Sequence, residues 1–197
     1  MKELLVIVLT AIFTENFVLQ KTLGICPFLG VSQKLDSAVG MSLAVTFVMC
    51  MSTAATWPIY SYLLLPRGLA YLQTLVFILV IAALVQLVEI VLKRYIPALH
   101  KALGIYLPLI TTNCTVLGVT ILNFDEGFNF IESMVNSVGA GLGFLLAMVL
   151  FAGVRSRIAA ATNVPKAFQG MPITLAAAAI VSAAFMGFSG IIDNLFK

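Results

Sequence analysis

Six long apolar runs constrain the fold of this chain more than any other feature of its 197-residue sequence. Each run is long enough to cross a bilayer as a helix, which takes roughly 20 residues. Hydrophobic residues make up 61% of the chain and charged residues only 10%, a composition outside the range of soluble domains. We therefore predict an all-α integral membrane protein with six transmembrane helices. The spans are predicted at about residues 4–23, 39–65, 69–92, 99–122, 128–154 and 172–192.

Basic residues are distributed unevenly between the two ends of these spans. The second and fourth loops and both termini hold only Lys2, Arg67 and Lys197. The first, third and fifth loops hold the other eight, which are Lys21, Lys34, Lys93, Arg94, Lys101, Arg155, Arg157 and Lys166. Because basic residues concentrate in cytoplasmic loops, we predict that both termini lie on the outer face of the cell's inner membrane. The net charge of +3 reflects this bias and gives little support to nucleic-acid binding.

The chain contains a short internal repeat centred on its rarest residues. Shifting the sequence by 88 positions lays Cys26 on Cys114 and residues 29–31 on residues 117–119. Each half, about 1–92 and 93–197, then contains three predicted helices. Because three is odd, equivalent helices enter the membrane from opposite faces. The pattern predicts two inverted three-helix repeats, an architecture in which sites form near the bilayer midplane at interrupted helices.

Both repeated segments carry residues that interrupt helices. Gly24, Pro27 and Gly30 lie in the first segment, and Pro108 and Gly118 in the second. Glycine permits unusual backbone angles and proline removes a hydrogen-bond donor. Such backbone is tolerated at membrane depth only where it is buried in protein or lines a cavity. We therefore predict that helices 1 and 4 are broken around an internal site.

A glycine-rich segment at 139–143 looks superficially like a nucleotide-binding loop. No strand precedes it, and it lies inside an apolar span. We interpret these small residues as a surface that lets another helix approach closely.

Cys26 and Cys114 are the candidate metal ligands. Iron in clusters is usually held by four thiolates, and soft cysteine sulfur favours iron–sulfur clusters or zinc. Two repeated cysteines supply half of such a set, so a partner must supply the rest. The alternative is that both are ordinary buried thiols, since free cysteine is among the most buried residues. Cys50 has no repeat mate, and we interpret it as a small core residue.

Several polar residues lie where polarity is expensive, so we expect them to face the interior of the bundle. Glu15 and Glu89 are candidates for an ion path, although Glu15 also suits a neutral, hydrogen-bonded role or a place near the outer surface. Asn16, Gln20 and Gln86 carry the same expectation of an inward orientation.

Residues beside the cysteines are candidates for tuning a cluster. Thr112 and Asn113 precede Cys114 and could donate hydrogen bonds to thiolate or sulfide, or instead bond to another helix. Gly24 and Gly118, the glycines near the two cysteines, are further candidates for tuning the cluster.

Three segments together resemble one known family. They are 23–31, which contains Cys26-Pro27-Phe28, then 103–114, which ends in Thr112-Asn113-Cys114, and 185–190. They resemble the A-subunit family of the Rnf electron-transport complex and, more distantly, the E and D subunits of the sodium-pumping NADH:quinone reductase. The resemblance runs over essentially the whole chain.

The resemblance implies a six-helix protein that pairs pseudosymmetrically with a homologous sister, the E subunit of Rnf. The pair would hold a 2Fe-2S cluster within the membrane, with two cysteines from each partner, here Cys26 and Cys114. Electrons would pass between cytoplasmic iron–sulfur and flavin subunits and covalently bound flavins on other subunits. The other partners in the complex would be the B, C, D and G subunits. This flow would be coupled to sodium or proton translocation in a ferredoxin:NAD oxidoreductase.

The sequence also suits other functions. The chain could be the E subunit of the quinone reductase. Inverted repeats with broken helices and buried carboxylates also suit a secondary transporter or ion channel. A third alternative is an assembly scaffold without a cofactor.

Overall fold

Every regular element is helical in the part of the chain that this computed structural model describes, which is residues 2–32, 34–95, 110, 113–160, 165 and 168–188. The helices are α1 (Lys2–Leu9, continued by a π-helical turn at Thr10–Thr14), α2 (Ile25–Val31), α3 (Leu35–Ile59, continued at Tyr60–Leu64), α4 (Gln73–Tyr95), α5 (Cys114–Asp125), α6 (Phe130–Ala159) and α7 (Met171–Met186). Two single turns of 3-10 helix, Leu65–Arg67 and Ala70–Leu72, connect α3 to α4.

Helix length divides the apolar helices into two groups. Among the described residues, three are long and apolar enough to cross a membrane, at Leu35–Leu64, Gln73–Val91 and Phe130–Ala159. Three are shorter, at Leu4–Thr14, Cys114–Asp125 and Met171–Met186. Together they overlap all six predicted spans. The 12 residues of α5 rise only about 18 Å, less than the roughly 30 Å of a hydrocarbon core.

The first predicted span is broken, but the break lies before Pro27 and Gly30, which were predicted to interrupt the helix and instead lie inside α2. The helical path of α1 ends at Thr14, and α2 begins only at Ile25. Asn16 is fully buried in the intervening segment. Its Nδ2 donates to the carbonyl oxygens of Ile12 (3.0 Å) and Gly143 (2.9 Å). Its Oδ1 accepts from the backbone N–H groups of residues 18 and 19. This one side chain therefore forms hydrogen bonds with four backbone groups at or beside the break.

The fourth predicted span is described only in its second half. Its break was predicted at Pro108 and Gly118. Pro108 lies outside the described residues, and Gly118 does not interrupt the helix, because it lies inside the continuous α5. What the structure gives is the start of α5 at Cys114, with Asn113 as the residue that caps it. The Oδ1 of Asn113 accepts from the backbone N–H of Thr115 at 3.0 Å.

Close packing around α6 confirms the interpretation of segment 139–143. A Cβ added at Gly139 would lie 3.1 Å from Cβ of Ala11, and one at Gly143 would lie 3.0 Å from the carbonyl oxygen of Ala11. These two glycines therefore face α1 and its continuation. Gly141 lies against the side chain of Thr46 in α3. The glycines let α6 pack closely against two helices at once, as small residues do in membrane bundles.

Candidate metal centre

Cys26 and Cys114 each lie at the beginning of a helix. Cys26 is the second residue of α2, and Cys114 is the first residue of α5. The backbone N–H of Gly24 donates a hydrogen bond to Sγ of Cys114 at 2.9 Å. Because consecutive Cα atoms are about 3.8 Å apart, the Cα atom of Cys26 lies at most about 12 Å from that sulfur. The fold thus brings the two repeated segments together.

Two contacts show where the bond between Gly24 and Cys114 lies along α6. A Cβ at Gly24 would lie 3.1 Å from Cε2 of Phe144, which is halfway along the 30-residue α6. Asn16 bonds to the neighbouring residue, Gly143. Between residues 16 and 24 the chain therefore makes almost no progress along α6. A continuous helix would have advanced by about 12 Å over these eight residues.

Both thiols are exposed at the surface of the single chain, although the residues around them are buried. Asn113, Thr115, Pro27 and Phe28 are all buried next to one or other cysteine. This contradicts the alternative that the two cysteines are ordinary buried thiols. Exposed thiols on a packed framework can be reached by a second chain.

Two buried hydrogen-bonding atoms beside Cys114 have no partner in the described part of the chain. Asn113 is 4% exposed and Thr115 is 0% exposed. Neither the Nδ2 atom of Asn113 nor the Oγ1 atom of Thr115 has a hydrogen-bond partner among the described residues. Buried polar groups are normally paired, so these donors fit a site that receives an acceptor such as thiolate or sulfide sulfur. Thr112, the other candidate donor, lies outside the described residues.

The two candidate glycines lie in more crowded surroundings than Gly30, the repeat mate of Gly118. Gly24 has a φ of 77°, which disfavours other residues, and an added Cβ there would collide with the hydroxyl of Thr115. At Gly118 an added Cβ would lie 2.6 Å from Cδ1 of Leu23. Gly118 therefore admits the segment that carries Gly24. Gly30, by contrast, has open space around it.

The thiols do not form a complete metal site by themselves. Within the described residues, no group of three or more histidine, cysteine or acidic side chains could hold a metal ion. Cys50 is half-buried in the middle of α3, which is consistent with a packing role. A four-thiolate cluster at Cys26 and Cys114 therefore needs two ligands from another chain.

Comparison with known proteins identifies the family. The family described as "Rnf-Nqr subunit, membrane protein" matches residues 4–192. The chain belongs to the Rnf-Nqr family. The resemblance seen in the sequence is thereby confirmed, and the chain is a multi-pass membrane protein.

Relatives within the Rnf-Nqr family are similar over nearly their whole length. A protein of Acetobacterium woodii, named as the A subunit of a Na(+)-translocating ferredoxin:NAD(+) oxidoreductase complex, is 56% identical over 187 residues, covering 95% of this chain and 97% of the relative. Proteins named as the A subunit of an ion-translocating oxidoreductase complex are 53% identical in Azoarcus sp. and 51% identical in Syntrophotalea carbinolica, each over 194 residues, covering 98% of this chain and 100% of the relative.

The candidate ion-path residues of this Rnf-Nqr chain lie apart from one another in the structure. Glu15 is exposed and forms an ion pair with Lys21 at 2.7 Å. Glu89 is half-buried on α4. Gln86, also on α4, is exposed, so the prediction that it faces the interior is wrong for this chain alone. A polar side chain is costly where it faces lipid, and a surface that contacts another protein of the complex can hold one.

A cavity of about 140 Å³, lined by both apolar and polar side chains, lies beside the break in helix 1. Its polar lining consists of Thr10, Glu15, Lys21, Glu126 and Asn136. The Nδ2 atom of Asn136 donates to Oδ1 of Asn123 at 2.7 Å. The sequence pointed to Glu15 alone, because the cavity is assembled from segments far apart in the chain.

Arg155 is a site residue that the sequence indicated only as part of the charge bias. It lies near the end of α6, and its Nη1 donates to the carbonyl oxygen of Leu29 at 2.6 Å and to Oγ of Ser32 at 3.0 Å. Both acceptors belong to the end of α2, the helix that carries Cys26.

Proposed function

We propose that this chain is the A subunit of an Rnf-type, ion-translocating ferredoxin:NAD oxidoreductase, and that it shares a 2Fe-2S cluster with the homologous E subunit through Cys26 and Cys114. The observation that carries the proposal is a pair of exposed thiols on a buried framework, beside the midpoint of a 30-residue apolar helix. Such a centre would supply single-electron transfer at a depth where the protein alone is insulating. The names of the relatives support the assignment to Rnf over the quinone reductase.

Hydrogen-bond donors surround the sulfur of Cys114. The N–H of Gly24 already donates to Cys114, and Cys114 begins a 12-residue helix, whose dipole favours anions at its N-terminus. The Nδ2 of Asn113 and the hydroxyl of Thr115, which have no partner among the described residues, add two donors. Hydrogen bonds to cluster ligands tune reduction potential. The chain would therefore hold the ligands and set the electrostatics of the shared site.

We extend the proposal to six spans in two inverted repeats within the inner membrane, with both termini outside. Burial in α3 and α6, the equivalent helices of the two halves, supports this arrangement. Under the 88-residue shift, six buried positions of α3 fall on six buried positions of α6. They are Val45 on Ser133, Val48 on Asn136, Met49 on Ser137, Ser52 on Ala140, Thr53 on Gly141 and Thr56 on Phe144.

Serine substitution of each cysteine tests the shared site. In the complex purified with its sister protein, we expect Cys26→Ser and Cys114→Ser each to remove the electron paramagnetic resonance signal of one reducible cluster and its iron. Cys50→Ser is the matched control and should leave both unchanged. Full iron content in the first two variants would overturn the proposal. Unchanged iron with altered ion flux would favour a transporter, and failed assembly alone would favour a scaffold.

The cavity beside the break in helix 1 supports a second role for this chain, as part of the path of the translocated ion. Glu15 supplies a carboxylate at the cavity, but Lys21 occupies one of its oxygens. A sodium ion or proton would therefore have to compete with the ammonium group of Lys21. Asn136 supplies a neutral oxygen, because its Nδ2 is engaged by Asn123. Glu89 remains a separate candidate on α4.

Transport by the intact complex in proteoliposomes tests this role. We expect Glu15→Gln to reduce ion uptake per electron transferred, while Asp125→Asn, an exposed neighbour of the cavity residue Glu126, leaves the ratio unchanged. Glu89→Gln tests the alternative path in the same assay. A wild-type ratio in Glu15→Gln would remove the cavity from the path without affecting the proposed cluster.

A further inference from the structure

The guanidinium of Arg155 closes the end of the short helix that carries Cys26. Helix α2 has seven residues, and the last carbonyls of any helix lack partners within it. Arg155 satisfies one of them through the 2.6 Å bond to Leu29 and also bonds to the fully buried Ser32. A cation at a helix C-terminus is favourable, because the helix dipole places partial negative charge there.

A second contact fixes α2 against the same face of α6. The rings of Phe28 and Phe151 stack with centroids 4.2 Å apart and an interplanar angle of 20°. Phe28 precedes Leu29 by one residue, and Phe151 precedes Arg155 by one helical turn. The aromatic stack and the guanidinium therefore hold α2 at neighbouring points, and they determine where Cys26 lies.

The charge of Arg155 is not neutralised by a carboxylate in the part of the chain that is described. Its bonds go to neutral oxygens, and it forms no ion pair there. The acidic residue nearest to Ser32 in sequence, Asp36, is exposed at the start of α3. An arginine stays charged in proteins. Cys26 lies one helical turn before Leu29, so this positive charge is on the order of 10 Å from it.

We propose that Arg155 is a positioning residue for the shared cluster, one that fixes α2 and also raises the reduction potential through its charge. The inference rests on the proposed function, since it requires a cluster at Cys26. Reduction adds one electron and therefore one negative charge at the site, and a partly buried positive charge nearby stabilises the reduced form.

A redox titration of the intact complex, followed by electron paramagnetic resonance, tests the inference. At a fixed ambient potential we expect Arg155→Gln to lower the ratio of reduced to oxidised cluster about tenfold, which is 59 mV for one electron. Arg155→Lys keeps the charge but loses the planar fork. We expect it to restore the ratio to within about threefold of wild type while broadening the spectrum. Arg157→Gln removes an exposed charge from the same helix end and should change neither, because exposed charges are screened.

Each result bears on the inference separately from the proposed function. A wild-type ratio in Arg155→Gln, or equal shifts in Arg155→Gln and Arg155→Lys, would overturn it while leaving the cluster in place. If Arg155→Gln does not retain a cluster, Arg155→Met, another neutral variant, is titrated under the same expectation. A wild-type complex without a reducible cluster would instead overturn the proposed function, and this inference with it.

Discussion

Gly24 and Cys114 are joined by a hydrogen bond of 2.9 Å from the backbone N–H of the first to the sulfur of the second. The bond links the broken segment of the first half to the first residue of α5 in the second half. It requires close approach of two backbones, and Gly24 has the left-handed backbone angle and lacks the side chain that would prevent it. The geometry of the sulfur site therefore depends on one glycine.

Gly24→Ala should destabilise the chain by about 2 kcal/mol or more, because a φ of 77° is strained for alanine. The new Cβ would also collide with the hydroxyl of Thr115. The free energy of unfolding in a detergent titration measures the effect. Gly153→Ala is the control, since Gly153 is a helical glycine with open space around it. Equal stability of the two variants would contradict the role given to Gly24.

Thiol labelling should distinguish the two exposed cysteines from the third. In the isolated chain without metal, we expect a maleimide to modify Cys26 and Cys114 at least about tenfold faster than Cys50, which is half-buried. In the complex with the E subunit, both should become protected, while Ser156→Cys, at an exposed position near the end of α6, stays reactive in the purified pair. Persistent labelling of Cys26 and Cys114 in the pair would argue against a shared face.

The sequence predicted the break in helix 1 but not the residue that stabilises it. Glycines and a proline around Cys26 indicated an interruption there. The helix ends well before them, at Thr14, and Asn16 then bonds to Gly143 across 127 positions of sequence. A polar residue in an apolar run indicates a buried role, but its partner depends on tertiary packing. The same limit applies to Arg155, whose acceptors in α2 cannot be inferred from charge bias.

The orientation of α4 could not be predicted for a different physical reason. Nearly all its residues are apolar, and lipid accepts the same side chains as the bundle interior, so no polar face marks the outside. Gln86 was therefore expected inside and lies exposed. The glycines of segment 139–143 were easier to interpret, because small residues inside an apolar helix commonly let a neighbouring helix approach closely.

Replacing Asn16 with leucine should cost roughly 3 kcal/mol of stability. Leucine has a similar size but would leave the backbone N–H groups of residues 18 and 19 without their acceptor, and each buried unpaired group costs about 1–3 kcal/mol. Unfolding in detergent measures the loss. Gln20→Leu, at a half-buried position in the same segment, should stay close to wild type. A cost below about 1 kcal/mol for Asn16→Leu would show that water replaces the side chain.

Thr53 and Ser137 form the hydroxyl contact between α3 and α6, at 2.6 Å. The hydroxyl of Ser137 also lies 2.8 Å from the carbonyl oxygen of Ser133, which can only accept, so we assign Thr53 as the donor to Ser137. Ser137→Ala therefore strands a buried donor, whereas Thr53→Val leaves Ser137 still paired with Ser133. We expect the serine variant to cost more.

A double-mutant cycle on this pair should give a coupling free energy of about 0.6 kcal/mol, and less than about 2 kcal/mol, as found for hydrogen bonds between membrane helices. Thr56→Val combined with Ser137→Ala is the control. The hydroxyl of Thr56 donates within its own helix, to the carbonyl of Ser52, so the two effects should add within about 0.5 kcal/mol. Equal costs for the two single variants of the pair, Thr53→Val and Ser137→Ala, would contradict the assigned direction of the hydrogen bond.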